Sequence, residues 1–270
     1  MTFDWFTEAE VRKVFGALPG ETAKPVILIG GQSISFWALY YDIDVPKTDT
    51  PALTQDLDFV GGKTQAKELA DKLRARIKVA TLDDSTPNTA LLTWVPPHQS
   101  ASNQRTLIID FLSGVLGVRD KDVVSLAVRV EVDGLPLWVL HPIICLQSRF
   151  ANLTLLPGKR DANGIIQAQL SIEIVKRFIA RDAAAKGHVT IAKSFSRVFE
   201  VATSPHGVYA FHQFGLDAIA AVDMTLLPEE HLFTKLEYPK LLTKLQNKRE
   251  IELARRQNRI HPPRETRKKS

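Results

Sequence analysis

Asp56 and Asp58 stand two positions apart in the segment Thr54-Gln-Asp-Leu-Asp-Phe59. Side chains alternate between the faces of a strand, so this spacing points both carboxylates the same way. Such a pair is a ligand set for hard divalent cations such as Mg2+. Without a cation between them, like charges on one face repel. A third carboxylate, Asp110, lies in Thr106-Leu-Ile-Ile-Asp-Phe-Leu112, with apolar neighbours on both sides. A charge in so apolar a strand is costly unless it is paired or binds a metal. Three carboxylates on adjacent strands can hold two Mg2+ ions. One ion would activate a hydroxyl nucleophile, and the other would hold a triphosphate and its leaving pyrophosphate.

A second cluster precedes these acids. The apolar run Pro25–Ile29 reads as a short strand and ends in Gly30-Gly31-Gln32-Ser33. Glycines after a strand let backbone N–H groups approach a phosphate closely. The N-terminus of the helix that follows adds donors and a favourable dipole, and Ser33 adds a hydroxyl.

The elements that must position these groups are mixed. Thr7–Leu18 reads as an opening helix and Gln32–Tyr41 as a second, with Ile34, Trp37, Ala38 and Tyr41 at helical spacing. A loop covers Asp42–Leu53, a strand Gln55–Val60, and a helix Lys63–Ile77. Strands are predicted at Thr89–Val95, Arg105–Phe111, Ala127–Val132 and Leu135–Leu140. Gln99–Asn103 reads as a polar loop inside one expected hairpin, and Asp133-Gly134 is a two-residue hairpin signal. From His141 the pattern turns helical. Pro142 suits a first helical position, and Ile143, Leu146, Phe150 and Leu153 mark one face. Two more helices carry Leu170/Ile174/Phe178 and Ile191/Phe195/Val198/Phe199. Ser204-Pro-His-Gly207 interrupts, and helices resume at Val208–Val222 and Glu229–Gln257. These patterns predict an α+β chain: a mixed-sheet domain over 1–140, a helical domain over 141–260, and a basic, disordered tail over 261–270.

Strand–Gly30-Gly31-Gln-Ser33–helix, then Thr54-Gln-Asp56-Leu-Asp58-Phe, then Asp110, resembles the signature of the polymerase-β-like nucleotidyltransferases. The longer pattern is similar to the bacterial toxin nucleotidyltransferases of AbiE-type abortive-infection systems, in which a helical domain follows the sheet domain. The resemblance implies transfer of a nucleoside monophosphate from an NTP to a hydroxyl acceptor, with two Mg2+ ions. It implies catalytic and metal roles for Asp56, Asp58 and Asp110, and a triphosphate cradle of Gly30, Gly31 and Ser33. It also admits a cognate antitoxin protein as partner. Members of the AbiE type carry a lysine in the helix that opens the second domain. Here His141-Pro-Ile-Ile-Cys-Leu-Gln-Ser-Arg149-Phe offers Arg149, and a downstream Lys-Asp pair is replaced by Lys159-Arg160-Asp161. Arg149 keeps a cation for the triphosphate but not a titratable point-charge donor.

Plainer readings stand beside these. Asp56 and Asp58 as exposed edge-strand residues would be poor strand formers, which favours the metal role. Asp110 has an ordinary alternative in an ion pair with Arg105. Gly30-Gly31 alone would be a tight turn, and Arg149, Lys159 and Arg160 alone would be solvated cations. The seven histidines show no metal spacing, and His206 and His212 read as structural. Phe36, Trp37 and Tyr40 read as core rather than a base-stacking platform, and Cys145 as a buried, inert thiol.

Charge bears on the acceptor. Residues 235–270 hold 12 Lys+Arg against 4 Asp+Glu, whereas the whole chain of 270 residues is only +5. The rest of the chain is therefore slightly acidic. The basic stretch favours RNA, tRNA included, through phosphate neutralisation. The rivals are an antibiotic-type enzyme acting on a small molecule, and a non-catalytic nucleotide- or partner-binding module. One cysteine, no apolar run of membrane-spanning length and an acidic N-terminus set the expectation of a cytoplasmic protein without membrane contact.

Overall fold

The computed structural model describes residues 6–20, 24–45, 56–81, 84, 88–97 and 105–260, with side chains through Gln257. The fold is α+β. Helix α1 (Glu8–Ala17) leads into β1 (Ile27–Leu28), α2 (Gly30–Tyr40), β2 (Leu57–Val60), α3 (Lys63–Leu73), β3 (Arg76–Val79), β4 (Asn88–Trp94) and β5 (Leu107–Leu112). Then come α4 (Asp120–Leu126), β6 (Val128–Val132) and β7 (Leu135–Val139). The remainder is helical: α5 (Pro142–Leu155), α6 (Ala162–Phe178), α7 (His188–Thr203), α8 (Pro205–Phe214) and α9 (Tyr238–Ile260).

The strands form one mixed sheet in the order β3-β4-β5-β2-β1-β7-β6. β1 runs antiparallel to β2 and parallel to β7, and β2 runs parallel to β5. Leu57 and Phe59 of β2 are buried with Leu107, Ile109 and Phe111 of β5 on one face. Phe59 and Phe111 touch there, with ring centroids 5.7 Å apart. The alternation leaves Asp58 and Asp110 on the other, half-exposed face.

Local chemistry explains most element boundaries. In α1, Thr7 and Glu10 form a capping box, and Glu10 also binds Arg105. Asp133 and Gly134 both adopt positive φ, +50° and +77°, as a tight hairpin turn between β6 and β7 requires. Pro142 occupies the first turn of α5, and the ring of His141 accepts the Ile143 N–H at 3.1 Å. Asp161 caps α6.

Several expected boundaries shift. The helix expected over Lys63–Ile77 stops at Leu73, because Arg74 turns left-handed with φ +55° and the chain enters β3. Ile77 continues the four-residue spacing of Leu69 and Leu73, which hides the strand. Helix α2 starts at Gly30, not Gln32. Ser204 and Pro205 start a helix rather than interrupt one, since Ser204 Oγ accepts the Gly207 N–H at 3.0 Å. That helix ends at Gly215 in a left-handed cap, so Val208–Val222 is not one helix. The Asp42–Leu53 loop from residue 46 on, the Gln99–Asn103 loop, and the 261–270 tail lie outside the described residues.

A single buried cluster runs from Val14 through Trp37, Phe59, Phe111, Phe150 and Phe199 to Leu245. It crosses residue 140 without a gap. Trp37 Nε1 donates to the Leu140 carbonyl at 2.8 Å, and Tyr41 Oη donates to Asp182 at 2.5 Å. Both bonds tie α2 to the chain that follows the sheet. Among the described residues, no helix is long and apolar enough to cross a membrane.

Candidate active site

Parallel pairing of β2 with β5 sets Asp58 directly beside Asp110. Adjacent strands lie about 4.8 Å apart, so both carboxyl groups rise from neighbouring points on one face. Asp56 sits two positions before Asp58, at the bend that enters β2, and is half-buried. Arg105 engages Glu10, so it is not the counter-charge of Asp110 that the ordinary alternative requires. Asp110 Oδ1 instead accepts a long hydrogen bond, 3.4 Å, from Asn88 Nδ2 at the start of β4.

The electrostatics follow from this crowding. Burial, then the neighbouring charges of Asp110 and Asp56, push the Asp58 carboxyl up to about 7, against the pull of Arg149 and Lys159. Burial and the charge of Asp56 push Asp110 up to about 6. Asp56 is raised by burial, against the pull of Lys159. The pull of Arg149 and Lys159 does not offset the burial and mutual repulsion of these carboxyls, and the donors are all oxygens, which is the chemistry of a Mg2+ site. Among the described residues, no three His, Cys, Asp or Glu side chains are grouped so as to hold a metal as they stand. The fit to a cation therefore rests on the Asp58–Asp110 pair and their repulsion, with Asp56 near enough to act on both electrostatically.

The glycine turn closes one side of this cluster. The Ile29 N–H donates to the Asp58 carbonyl at 2.9 Å, which seats the end of β1 against β2. Gly30 follows with φ +69°, a conformation that favours glycine. A Cβ at this position would collide with Asp58 Oδ2 and come within 2.9 Å of Cγ. The absence of a side chain at Gly30 thus makes room for the Asp58 carboxylate. Gly31 is buried behind it. Ser33 is also fully buried, and its hydroxyl donates to the Gly30 carbonyl at 2.8 Å. Ser33 braces the turn from within instead of opening onto the cleft.

Two cations face the acids. Arg149 projects from α5, close enough to Asp58 to lower its pKa. Its Nη1 donates to Gln167 Oε1 at 2.7 Å, and its Nε is sealed from solvent without a partner among the described residues. Lys159 is exposed in the 3-10 turn Pro157–Lys159 and acts on both Asp56 and Asp58. Arg160 is engaged elsewhere. Its guanidinium binds the Leu153 and Thr154 carbonyls at 2.9 and 2.8 Å, closing the end of α5.

The remaining singled-out residues are placed as follows. Trp37 is buried and Phe36 partly so, while Tyr40 is 43% exposed. Cys145 is buried, and burial pushes its thiol up to about 11. His212 Nε2 lies 3.1 Å from the Arg249 carbonyl. Gln167 and Asn88 join the site without being expected there. Gln167 carries a sequence signal: it precedes Leu170 by three and Ile174 by seven, so it is a polar residue on an apolar helix stripe. Asn88 carries none, because its contact depends on the register between β4 and β5.

No family model matches the chain, and no curated protein matches it. Among solved structures, a candidate nucleotidyltransferase of H. pylori aligns over 89% of this chain and 92% of its own, at 13% identity and a TM-score of 0.36. The protein JHP933 from Helicobacter pylori aligns over 93% of this chain and 94% of its own, at 12% identity and a TM-score of 0.34.

Proposed function

We propose that the protein is a nucleotidyltransferase that moves a nucleoside monophosphate from an NTP to a hydroxyl acceptor and releases pyrophosphate. The observation that carries this reading is the side-by-side placement of Asp58 and Asp110 against the Gly30 turn. Two half-buried carboxylates beside each other near a glycine turn have no packing benefit, yet they suit a site that takes a cation and a polyphosphate together.

Asp56, Asp58 and Asp110 would hold Mg2+, which when bound supplies Lewis-acid charge stabilisation for the triphosphate. Asp110, on the cleft face beside Asp58, is the carboxylate this reading assigns to take the acceptor's proton. The acceptor oxygen bonds to the α-phosphorus as its proton passes to the Asp110 carboxylate. The bond from that phosphorus to the bridging oxygen breaks, and pyrophosphate leaves with the electron pair. Gly30 would present backbone to the triphosphate side, with Gly31 packed behind it, and Ser33 holds that backbone in place. Arg149 and Lys159 offset phosphate charge.

RNA is the acceptor this reading favours. Support comes from the 12 Lys and Arg residues over 235–270. In the described part of this stretch, Lys240, Lys244 and Lys248 line one open groove on α9 with Thr243 and Asn247. Incubation with α-labelled NTPs, Mg2+ and total RNA tests the proposal. Label in RNA, lost in Asp58→Asn, is the expected result. Label only in small molecules would move the acceptor to the antibiotic class. NTP binding without turnover would leave a nucleotide-binding module.

A further inference from the structure

We propose that Gln167 is a positioning residue that aims Arg149 at the polyphosphate, an inference that rests on the nucleotidyltransferase reading of the site. Gln167 lies on α6, is 4% exposed, and points from the apolar side of its helix toward α5. Its Oε1 accepts from Arg149 Nη1 at 2.7 Å. Its Nε2 faces Asn163 Oδ1 at 3.4 Å, one turn back on the same helix. With the amide nitrogen turned to Asn163, the amide oxygen is the atom presented to Arg149.

The neutrality of this partner is the informative feature. Guanidinium groups held in protein interiors are ordinarily matched with carboxylates. Arg149 has no carboxylate within ion-pair distance among the described residues, and Asp58 acts on it only from beyond that distance. Its Nε is buried and makes no hydrogen bond among the described residues. One neutral acceptor therefore fixes the orientation of the guanidinium but leaves its positive charge and spare donors unspent. A carboxylate at position 167 would fix the same side chain and cancel the charge. The arrangement suits a cation reserved for an anion that arrives from solution, on the Asp58 and Gly30 side of the cleft.

Binding of inorganic tripolyphosphate with Mg2+, by calorimetry on the full chain, tests this together with KM and kcat for NTP. Gln167→Met keeps the length of the side chain and removes the acceptor, and Gln167→Glu keeps the acceptor and adds charge. Each is expected to weaken tripolyphosphate binding about tenfold and to raise KM more than it lowers kcat. In an Arg149→Ala background, Gln167→Met should have no further effect on binding, because the residue acts only through Arg149. A merely structural role predicts additive losses in that background, and this result would overturn the inference. So would wild-type affinity in both single variants. Failure of the wild-type chain to bind either tripolyphosphate or NTP would overturn the nucleotidyltransferase reading, and the inference with it.

Discussion

Asp58 and Asp110 are immediate neighbours in the sheet, paired in register on parallel strands, so two acids face the cleft from adjacent strands, one strand spacing (~4.8 Å) apart. Ladder positions of like charge are destabilising unless something intervenes. The pairing is therefore a local cost that the remainder of the fold carries, and it can be measured.

The first expected outcome is a pH dependence of stability. Both carboxyls are raised above the ordinary aspartate value of 3.8, Asp110 to about 6 and Asp58 to about 7. The folded chain thus holds protons that the unfolded chain releases. Their contribution is fully present below about pH 4 and is lost as pH rises through 6 and 7. Buried His141, lowered to about 4, has the opposite trend between pH 4 and 6.5, so the informative quantity is the difference between variant and wild type. Asp58→Asn should gain stability relative to wild type from pH 4.5 to 8, by on the order of 1 kcal/mol. Urea midpoints without divalent cations give the answer, and a constant difference across that range would contradict it.

Asp110→Asn should cost more in rate than in binding. Loss of a general base typically lowers turnover about 10^2–10^4-fold. Tripolyphosphate affinity should fall far less, since the glycine turn and Arg149 are untouched. Equal losses in both would assign Asp110 to ground-state binding alone.

Gly30→Ala and Gly134→Ala make a matched pair. Both glycines have positive φ, +69° and +77°. A Cβ at Gly134 meets nothing within 4 Å, whereas at Gly30 it strikes the Asp58 carboxylate. Each should lose about 1 kcal/mol to backbone strain. Only Gly30→Ala should also displace Asp58 and abolish NTP turnover, as thermal melts run beside an activity assay would reveal.

Truncation after Gln257 removes five basic residues and Glu265, a net loss of four positive charges. Each neutralised phosphate adds about −0.7 to the log–log salt slope on single strands. The truncated chain should bind RNA more weakly and with a shallower slope, while tripolyphosphate affinity stays the same. Identical slopes would remove these residues from the RNA reading.

Much of the fold is legible in local chemistry. Strand–Gly-Gly–helix and Asp-x-Asp are short-range signals: they place Asp58 on its strand, whereas Asp56 falls at the bend just before that strand and Gly30 opens the helix expected to start at Gln32. Pairing of Asp110 with Asp58 needs a parallel register between strands about fifty residues apart, which periodicity cannot supply. A hydroxyl near a helix start is ordinarily free to donate to a phosphate, but Ser33 is not. Its burial follows from the packing of α2 against the chain that comes later. Strand β3 is masked because Ile77 satisfies helical and strand spacing equally, and the left-handed turn at Arg74 carries no strong residue signal.

The place of β1 between β2 and β7 also has a consequence for synthesis. Ile27 and Leu28 pair with Phe59 and Val60 on one side and with Trp138 and Val139 on the other. On the ribosome, the second neighbour emerges well after the first. Arg149 and Gln167 come later still, and Asp182, the partner of Tyr41, last of all. The acids are thus translated well before the cation and the brace that face them. An unfinished chain has the carboxylates but no assembled cleft, so prematurely terminated products should be inert rather than partly active.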